Sequence, residues 1–220
     1  MPDLTFEFNA LKKGLIPVGI DEVGRGCLAG PVVAAAVELP IEFLNNPKVE
    51  SFFFELDDSK KLSSKKRKEL SLKILESAFV QIAWAFPNEI DQFDILRASM
   101  LAMRRAANPF LQSNRIFLVD GNQNPYSKSF SIESAYDVDS SIQSNNIETI
   151  VKGDSVSLSI AAASIVAKVY RDEWMDEMDL IFPGYQFSKH KGYFTKIHHE
   201  AIRQLGPCKM HRLSFAPFKK

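Results

Sequence analysis

Asp21 and Glu22 close an apolar run, Pro17-Val-Gly-Ile20, and lead into Gly24-Arg25-Gly26. Two carboxylates at a strand end beside a glycine-rich turn can hold a metal ion against a phosphate. The glycines let backbone N–H groups come close to a ligand, and the guanidinium offers a fixed fork of donors. Two further acids stand at element boundaries. Asp120 ends Ile116-Phe-Leu-Val119 and precedes Gly121, and Asp154 ends Ile150-Val-Lys-Gly153 ahead of a run of small residues. Ligand-binding groups gather at strand ends in an α/β sheet. Carboxylates that meet there repel one another unless cations lie between them, and oxygen-only ligands select Mg2+ or Mn2+ over Zn2+. Taken singly, each acid also fits a plainer role: a turn at Asp120-Gly121, a helix cap at Asp154, a solvated strand end at Asp21-Glu22. Geometry adds a condition, because neighbours on a strand point to opposite faces. Either the strand twists or ends at Asp21, or one of the pair lends its backbone carbonyl.

Other chemistries find little support. The chain has no G-x-x-x-x-G-K-[ST] phosphate loop and no G-x-G-x-x-G fingerprint. Ser59 and Ser164 have no evident His/Asp partners, which argues against a serine nucleophile. His190, His198, His199 and His211 stand in a basic tail without carboxylate or cysteine company, so they read as surface or phosphate-facing groups rather than metal ligands. Cys27 and Cys208 have neither metal-ligand spacing nor a disulfide framework and read as free thiols in a reducing cytosol.

The elements that must position the acids follow from periodicity. Strand patterns cover Val18–Asp21, Val32–Leu39, Val80–Phe86, Arg115–Asp120 and Thr149–Lys152. One helix starts at Ser63 or Ser64 with Leu70, Ile74 and Ala78 on one side. A second carries Leu96, Met100, Met103 and Ala107. A third carries Ile160, Ala163, Ala167, Tyr170 and Trp174, and its small residues predict close packing on the sheet. A shorter helix over Thr195–Leu205 is ended by Gly206-Pro207. Strands gathered early and helices late predict a mixed α/β domain with one central sheet flanked by helices. Residues 1–180 would form this catalytic domain, and 181–220 a small helical extension carrying a basic, substrate-binding surface.

The 220-residue chain is 45% hydrophobic and 25% charged, ordinary for a soluble globular protein. No run reaches the roughly 18 apolar residues of a membrane span, and the N-terminus lacks the order of a signal peptide. A cytoplasmic protein is expected. The net charge of zero hides segregation. Residues 185–220 hold 8 Lys/Arg, all four histidines and the single acid Glu200, leaving 19 basic and 26 acidic side chains elsewhere. A polyanion partner on one face fits this asymmetry. Tyr185, Phe187, Tyr193, Phe194, Phe215 and Phe218 are interleaved with the tail's cations, as rings that stack on bases or sugars while lysines meet phosphates. A second cluster, Lys60, Lys61, Lys65, Lys66, Arg67 and Lys68, reads from Lys65 to Lys68 as a solvated helix face.

Seven motifs in order carry a resemblance. They are Gly19-Ile-Asp-Glu-Val-Gly-Arg-Gly26 with Gly30-Pro31, Asp58-Ser-Lys-Lys-Leu-Ser63, Val119-Asp-Gly-Asn122, Val151-Lys-Gly-Asp154, Ala162-Ala-Ser-Ile-Val-Ala-Lys168 with Arg171-Asp172, His190-Lys-Gly-Tyr193, and His211-Arg212 with Ser214-Phe215. From about residue 17 to residue 217 the chain resembles ribonuclease HII, the bacterial type 2 ribonuclease H. The resemblance implies a ribonuclease H-like fold with a C-terminal helical extension. It implies endonucleolytic cleavage of RNA in RNA–DNA hybrids, and cleavage on the 5′ side of single ribonucleotides in duplex DNA, leaving a 3′-hydroxyl and a 5′-phosphate. The family's catalytic and metal-binding acids map onto Asp21, Glu22, Asp120 and Asp154. Gly24, Arg25 and Gly26 would detect the ribose 2′-hydroxyl, largely through backbone groups, and Tyr193 would pack on the deoxyribose after the junction. Cys27 stands where proline is frequent, and Ala161 where a serine is often found. The sister family, ribonuclease HIII, usually has lysine at the Arg25 position and an added N-terminal domain.

A two-metal mechanism agrees with the acids: ions about 3.5–4 Å apart flank the scissile phosphate, one activating water and the other stabilising the leaving oxygen. Asp21 is the expected shared ligand, Glu22 and Asp120 complete one shell, and Asp154 serves the other. Lys60, Lys61, Lys152, Lys191 and Arg212 are candidate phosphate contacts. Lys168, at helix spacing, fits either a phosphate contact or a structural role, and Asp172 fits an ion-pair or supporting role. A monomer with no obligate protein partner is expected. A hybrid-binding module without catalysis and a junction resolvase on the same fold remain alternatives, separable by a nuclease assay with and without Mg2+ and by a four-way-junction substrate.

Overall fold

The computed structural model describes residues 1–47, 51–130 and 146–219; Lys220, the last residue of the expected extension, lies outside them. The strands are β1 (Ile16–Val23), β2 (Val32–Glu38), β3 (Phe79–Ala85), β4 (Arg115–Asp120) and β5 (Ile147–Ile150). They form one sheet in the order β3-β2-β1-β4-β5. β1 pairs antiparallel with β2 and parallel with β4, while β2–β3 is antiparallel and β4–β5 parallel. The helices are α1 (Thr5–Lys12), α2 (Ile41–Asn45), α3 (Ser64–Ser77), α4 (Pro87–Phe93), α5 (Ile95–Ala107), α6 (Leu158–Ile181), α7 (Phe187–His190) and α8 (Lys196–Leu205). This is the mixed sheet flanked by helices that the strand and helix patterns predict.

Each face of the sheet has its own core. Val33, Ala35 and Val37 of β2 pack with α3 and the small-residue side of α6. Val18 and Ile20 of β1, with Ala34 and Ala36 of β2, pack against Ala98, Ala102 and Ala106 of α5. Directly paired residues share a face, so the β1–β2 register separates Asp21, opposite Ala35 on the α6 face, from Glu22, opposite Ala34 on the α5 face.

α6 sits unusually near the sheet, as its small residues predict. A Cβ on Gly19 would lie 2.2 Å from the Ser159 carbonyl carbon, closer than any real contact. Ser157 caps α6 through the Ile160 N–H, and a buried carboxylate reinforces that end. Glu7 Oε1 accepts from the Ser157 hydroxyl at 2.6 Å, the Ser159 N–H at 2.9 Å and the Ser159 hydroxyl at 2.7 Å. A negative charge at a helix N-terminus is favoured by the free N–H groups there. α1 carries Glu7 into place, and sequence periodicity overlooked it: the helix is short, and its decisive buried residue is charged.

α3 is capped by Ser63 through the Lys66 N–H, with Leu70 and Ile74 buried. Lys66 pairs with Glu55 and Glu69, and Lys68 pairs with Glu173, so this part of the basic cluster is a surface balanced by acids. Beyond α6 the chain builds a small apolar cluster of its own from Tyr185, Phe187 and Ala201, seated on Met175 and Ala29. Tyr185 and Phe187 are therefore interior residues, whereas Tyr193 and Phe194 are 39% and 60% exposed. The expectation that all six tail aromatics face a ligand is corrected for Tyr185 and Phe187. Among the described residues, no helix is long and apolar enough to cross a membrane.

Candidate active site

The acids meet because of strand order. β1 and β4 are parallel neighbours with Ile20 opposite Val119, so Asp21 and Asp120 follow at the same carboxyl end of the sheet. Asp120 shares its side of β4 with Ile116 and Leu118, which pack on Ile160 of α6, so it stands on the same face as Asp21. β5 adds Asp154. The strand ends at Ile150, earlier than the predicted Lys152, and Lys152 takes a left-handed conformation with φ 58°. The chain then makes a single 3-10 turn, Gly153–Ser155, which holds Asp154 9% exposed. Gly153 donates its N–H to Asp120 Oδ1 at 2.6 Å. Asp154 does not cap α6, since Ser157 does. Gly121, with φ 94°, donates to the Ile150 carbonyl, so Asp120-Gly121 is a turn as well as a point on the acidic cluster.

Glu22 stands apart. β1 continues through it to Val23, so the strand does not end at Asp21, and the two acids point to opposite faces. The Glu22 carboxylate lies 3.4 Å from Arg25 Nη1, and its own N–H donates to Asp21 Oδ1 at 2.7 Å.

Electrostatics register the crowding. Asp21 is held well above the usual carboxylate range, first by burial and then by the charges of Glu22 and Asp120, while the Ser164 hydroxyl and the Glu22 N–H act the other way. Glu22 is raised to about 7 by burial; Arg25 opposes the rise and Asp120 adds to it. Asp120 is raised by burial, against the Gly153 N–H, with the Asp154 charge contributing. Among the described residues, no three carboxylate, imidazole or thiolate groups are already drawn together around one point. Repelling carboxylates splay apart when no cation lies between them, and an all-oxygen set with so high a cost of ionisation suits a hard divalent ion.

The glycine turn lies beside this cluster. A Cβ on Gly24, where φ is 95°, would lie 2.2 Å from Arg171 Nε, so glycine is required there. At Gly26 a Cβ would meet nothing within 4 Å, which leaves the backbone open to an approaching ligand. Arg25 and Lys60 are exposed. Lys61 pairs with Asp57 at 3.1 Å, and Lys191, left-handed at φ 51°, pairs with Asp176. Lys168 pairs with Asp172 at 2.7 Å along α6, and its Nζ lies 5.6 Å from the Tyr193 ring centroid.

Two expectations are corrected. Arg212, expected to reach phosphate, is fully buried: Nε and Nη2 donate to the Gly30 carbonyl at 3.0 and 2.8 Å, and Nη1 donates to the Arg25 carbonyl at 2.9 Å. These three bonds satisfy two inward-facing carbonyls at either end of the glycine turn. His190, His198 and His211, expected at the surface, are buried, and only His199 is exposed. Arg171 was missed as a site-building residue. It is fully buried and donates to the carbonyls of Pro31, Lys191 and Ala29 at 2.9, 2.8 and 3.0 Å. Its signal in the sequence was its place in the motif Arg171-Asp172. The serines also have partners: the Ser164 hydroxyl, which interacts with Asp21, lies 3.1 Å from the Ser59 hydroxyl, and Arg67 holds the Ser59 and Leu62 carbonyls at 2.7 and 2.6 Å.

Comparisons with known proteins bear on the family and the fold. The family model described as Ribonuclease HII matches residues 18–218. A ribonuclease HII of Sinorhizobium medicae is 47% identical over 221 residues, covering 100% of this chain and 92% of its own length. Among solved structures, the ribonuclease H2 of Pyrococcus horikoshii superposes with a TM-score of 0.68 at 20% identity, covering 93% of this chain and 96% of its own. Bst-RNase HIII in complex with Mn2+ superposes with a TM-score of 0.70 at 21% identity, covering 94% of this chain and 68% of its own. At such identity these two structures speak for the fold, a ribonuclease H-type sheet, while the family match extends over nearly all of the sequence, every acid of the cluster and the glycine turn included: the chain belongs to the ribonuclease HII family.

Proposed function

We propose that this protein hydrolyses the RNA strand of RNA–DNA hybrids and cuts on the 5′ side of single ribonucleotides in duplex DNA, using two Mg2+ or Mn2+ ions. Family membership makes the chain a metal-dependent endoribonuclease. The observation that supports the finer reading is that Asp21 and Asp120 share one face at the carboxyl end of β1 and β4, with Asp21 buried beside like charges and Asp154, in the turn after β5, close enough for its charge to raise Asp120. Bst-RNase HIII, which shares this fold, is known in complex with Mn2+, which supports the use of a divalent ion.

Bound divalent ions supply the activation of water and the neutralisation of the leaving 3′-oxygen. Asp21, with Glu22 and Asp120 as its charged neighbours, is the residue we assign to both ions. Glu22 and Asp120 would serve one of them and Asp154 the other; because the Glu22 side chain lies on the opposite face, its backbone carbonyl is the group it would offer. The Gly153 N–H holds the Asp120 carboxylate in orientation. The open backbone at Gly26 and the turn Gly24–Gly26 face the ribose, where a 2′-hydroxyl distinguishes RNA from DNA. The exposed Tyr193 ring stacks on the next sugar. Lys60, Lys61, Lys152 and Lys191 meet phosphates. Residues 1–180 thus carry the chemistry, and 181–220 add a substrate-binding wall. The reading places the protein in the cytoplasm as a monomer.

The test is a duplex with one embedded ribonucleotide, assayed with and without Mg2+. Cleavage on its 5′ side, dependent on metal and lost when that sugar is 2′-deoxy, is the expected result. Equal cutting of an all-DNA duplex, or preference for a four-way junction, overturns the reading.

A further inference from the structure

Three imidazoles that the chemistry above does not use are packed inside the C-terminal extension: His190, His198 and His211 are 7%, 0% and 2% exposed. Apolar side chains would fill the same space without the desolvation cost of imidazoles, so their hydrogen bonds need a reason.

Those bonds determine where each proton sits. A carbonyl oxygen only accepts, and His198 Nδ1 faces the Tyr193 carbonyl at 2.9 Å; Nδ1 carries the proton and Nε2 is bare. His211 Nε2 faces that bare nitrogen at 3.1 Å and therefore donates to it. His211 Nδ1 then accepts from the Cys208 N–H, which only donates, at 2.9 Å. His190 accepts the Gly192 N–H at Nδ1 and donates from Nε2 to the Tyr185 carbonyl, and its ring stacks on His198 at 4.2 Å. Burial holds all three neutral, His198 and His211 down to about 4.

The chain of bonds joins two segments that grip the far end of the glycine turn. From one side Gly192 accepts the Leu28 N–H at 2.8 Å, in a contact so close that a Cβ on Gly192 would lie 2.3 Å from the Ala29 carbonyl oxygen. From the other, Met210 accepts the Gly30 N–H at 2.8 Å, Arg212 donates its N–H to Leu28 at 2.9 Å, and its guanidinium reaches the Arg25 carbonyl. His198 ends on the first segment at Tyr193, and His211 lies within the second.

We propose that His198 and His211 are positioning residues for ribonucleotide recognition: their Nε2–Nε2 bond clasps the segment carrying Tyr193 to the segment carrying Arg212, and so fixes the two walls around Gly24–Gly30. The proposal rests on the reading that this turn and Tyr193 face the substrate's sugar. The clasp does not touch substrate and does not reach the four acids, so it acts on substrate binding and leaves metal binding alone.

The test uses the full chain, the duplex with one embedded ribonucleotide, and Mn2+ as the metal probe. His198→Asn keeps a donor for the Tyr193 carbonyl and loses the bond to His211; His198→Gln does the reverse. Both are expected to raise KM about tenfold, the worth of one or two hydrogen bonds, with kcat within about twofold and the Mn2+ dissociation constant unchanged. Nitrogen NMR of the imidazoles in the wild-type chain gives a second reading that needs no variant: His198 protonated at Nδ1, His190 and His211 at Nε2. Wild-type KM in both variants overturns the proposal, as does a fall in kcat and Mn2+ affinity together, or a wild-type His198 protonated at Nε2. A wild-type protein that ignores the ribonucleotide defeats the underlying reading instead, and the proposal with it.

Discussion

Asp21 concentrates the site's conflict in one residue. It is buried, close to two other carboxylates, and costly to ionise. On the proposed reading such a group would destabilise the metal-free protein in order to bind a cation, a trade between stability and activity. Asp21→Asn is expected to abolish cleavage while hybrid binding stays measurable, and to raise stability in EDTA by about 0.5–2 kcal/mol. Near-normal turnover, or a lower melting temperature than wild type in EDTA, would count against the assignment. Asp172 belongs to a different class. Its partner is Lys168 on the same helix, both groups are largely covered, and it has no place among the charges that raise Asp21. Asp172→Ala should lower the melting temperature before it slows single-turnover cleavage, and the two measurements side by side decide the order.

At the scale of elements, the site depends on how closely α6 lies on β1. Gly19 makes this contact, with no room for a Cβ against the Ser159 carbonyl carbon. Gly19→Ala forces the helix or the strand to move and should destabilise the protein by about 1–3 kcal/mol or more. Because Asp21 is two residues further along β1, cleavage should fall as well, and Mg2+ titration of the folded variant should show weaker activation. Unchanged melting and activation would mean that α6 yields more easily than its buried alanines suggest. Glu7 holds the same helix end, and Glu7→Ala leaves the Ser157 and Ser159 hydroxyls and the Ser159 N–H without their acceptor. A loss of about 1–3 kcal/mol follows from such unsatisfied donors.

For the whole molecule, two sets of titrating groups set the pH response with opposite signs. His198 and His211 are lowered from 6.5 to about 4, so between those values the unfolded chain binds more protons than the folded one. Their contribution is intact above pH 6.5 and is lost as the pH falls toward 4. Glu22 is raised from 4.5 to about 7, so the folded state binds the extra proton across that range, and stability falls as pH rises through it. If the carboxylates hold a divalent ion as proposed, the ion removes the second effect. Melting curves from pH 4.5 to 8 should therefore show Mg2+ stabilising most at the alkaline end, while the acid loss remains in both EDTA and Mg2+. A Mg2+ effect of equal size at both ends would contradict this. Hybrid affinity should also fall steeply with salt if lysines such as Lys60 and Lys152 meet phosphates, and a flat response would remove them from the interface.

Residue types and periodicity determined a good deal: five strands, β4 at its observed limits and β1 and β5 off by two residues at each end, the capped helix after Ser63, the close-lying small-residue helix and the acids near strand ends, beside a family resemblance carried by ordered motifs. These are local properties, in which a side chain's effect reaches only a few neighbours along the chain. Tertiary structure decided the rest. It put β4 beside β1, so that Asp120 joined Asp21 on one face while Glu22 took the other. It also turned Arg212 and three histidines inward, although charge and polarity marked them as surface groups. Burial of a polar side chain is decided by whether carbonyls and N–H groups from distant segments arrive to satisfy it, and that pairing exists only after the chain has folded.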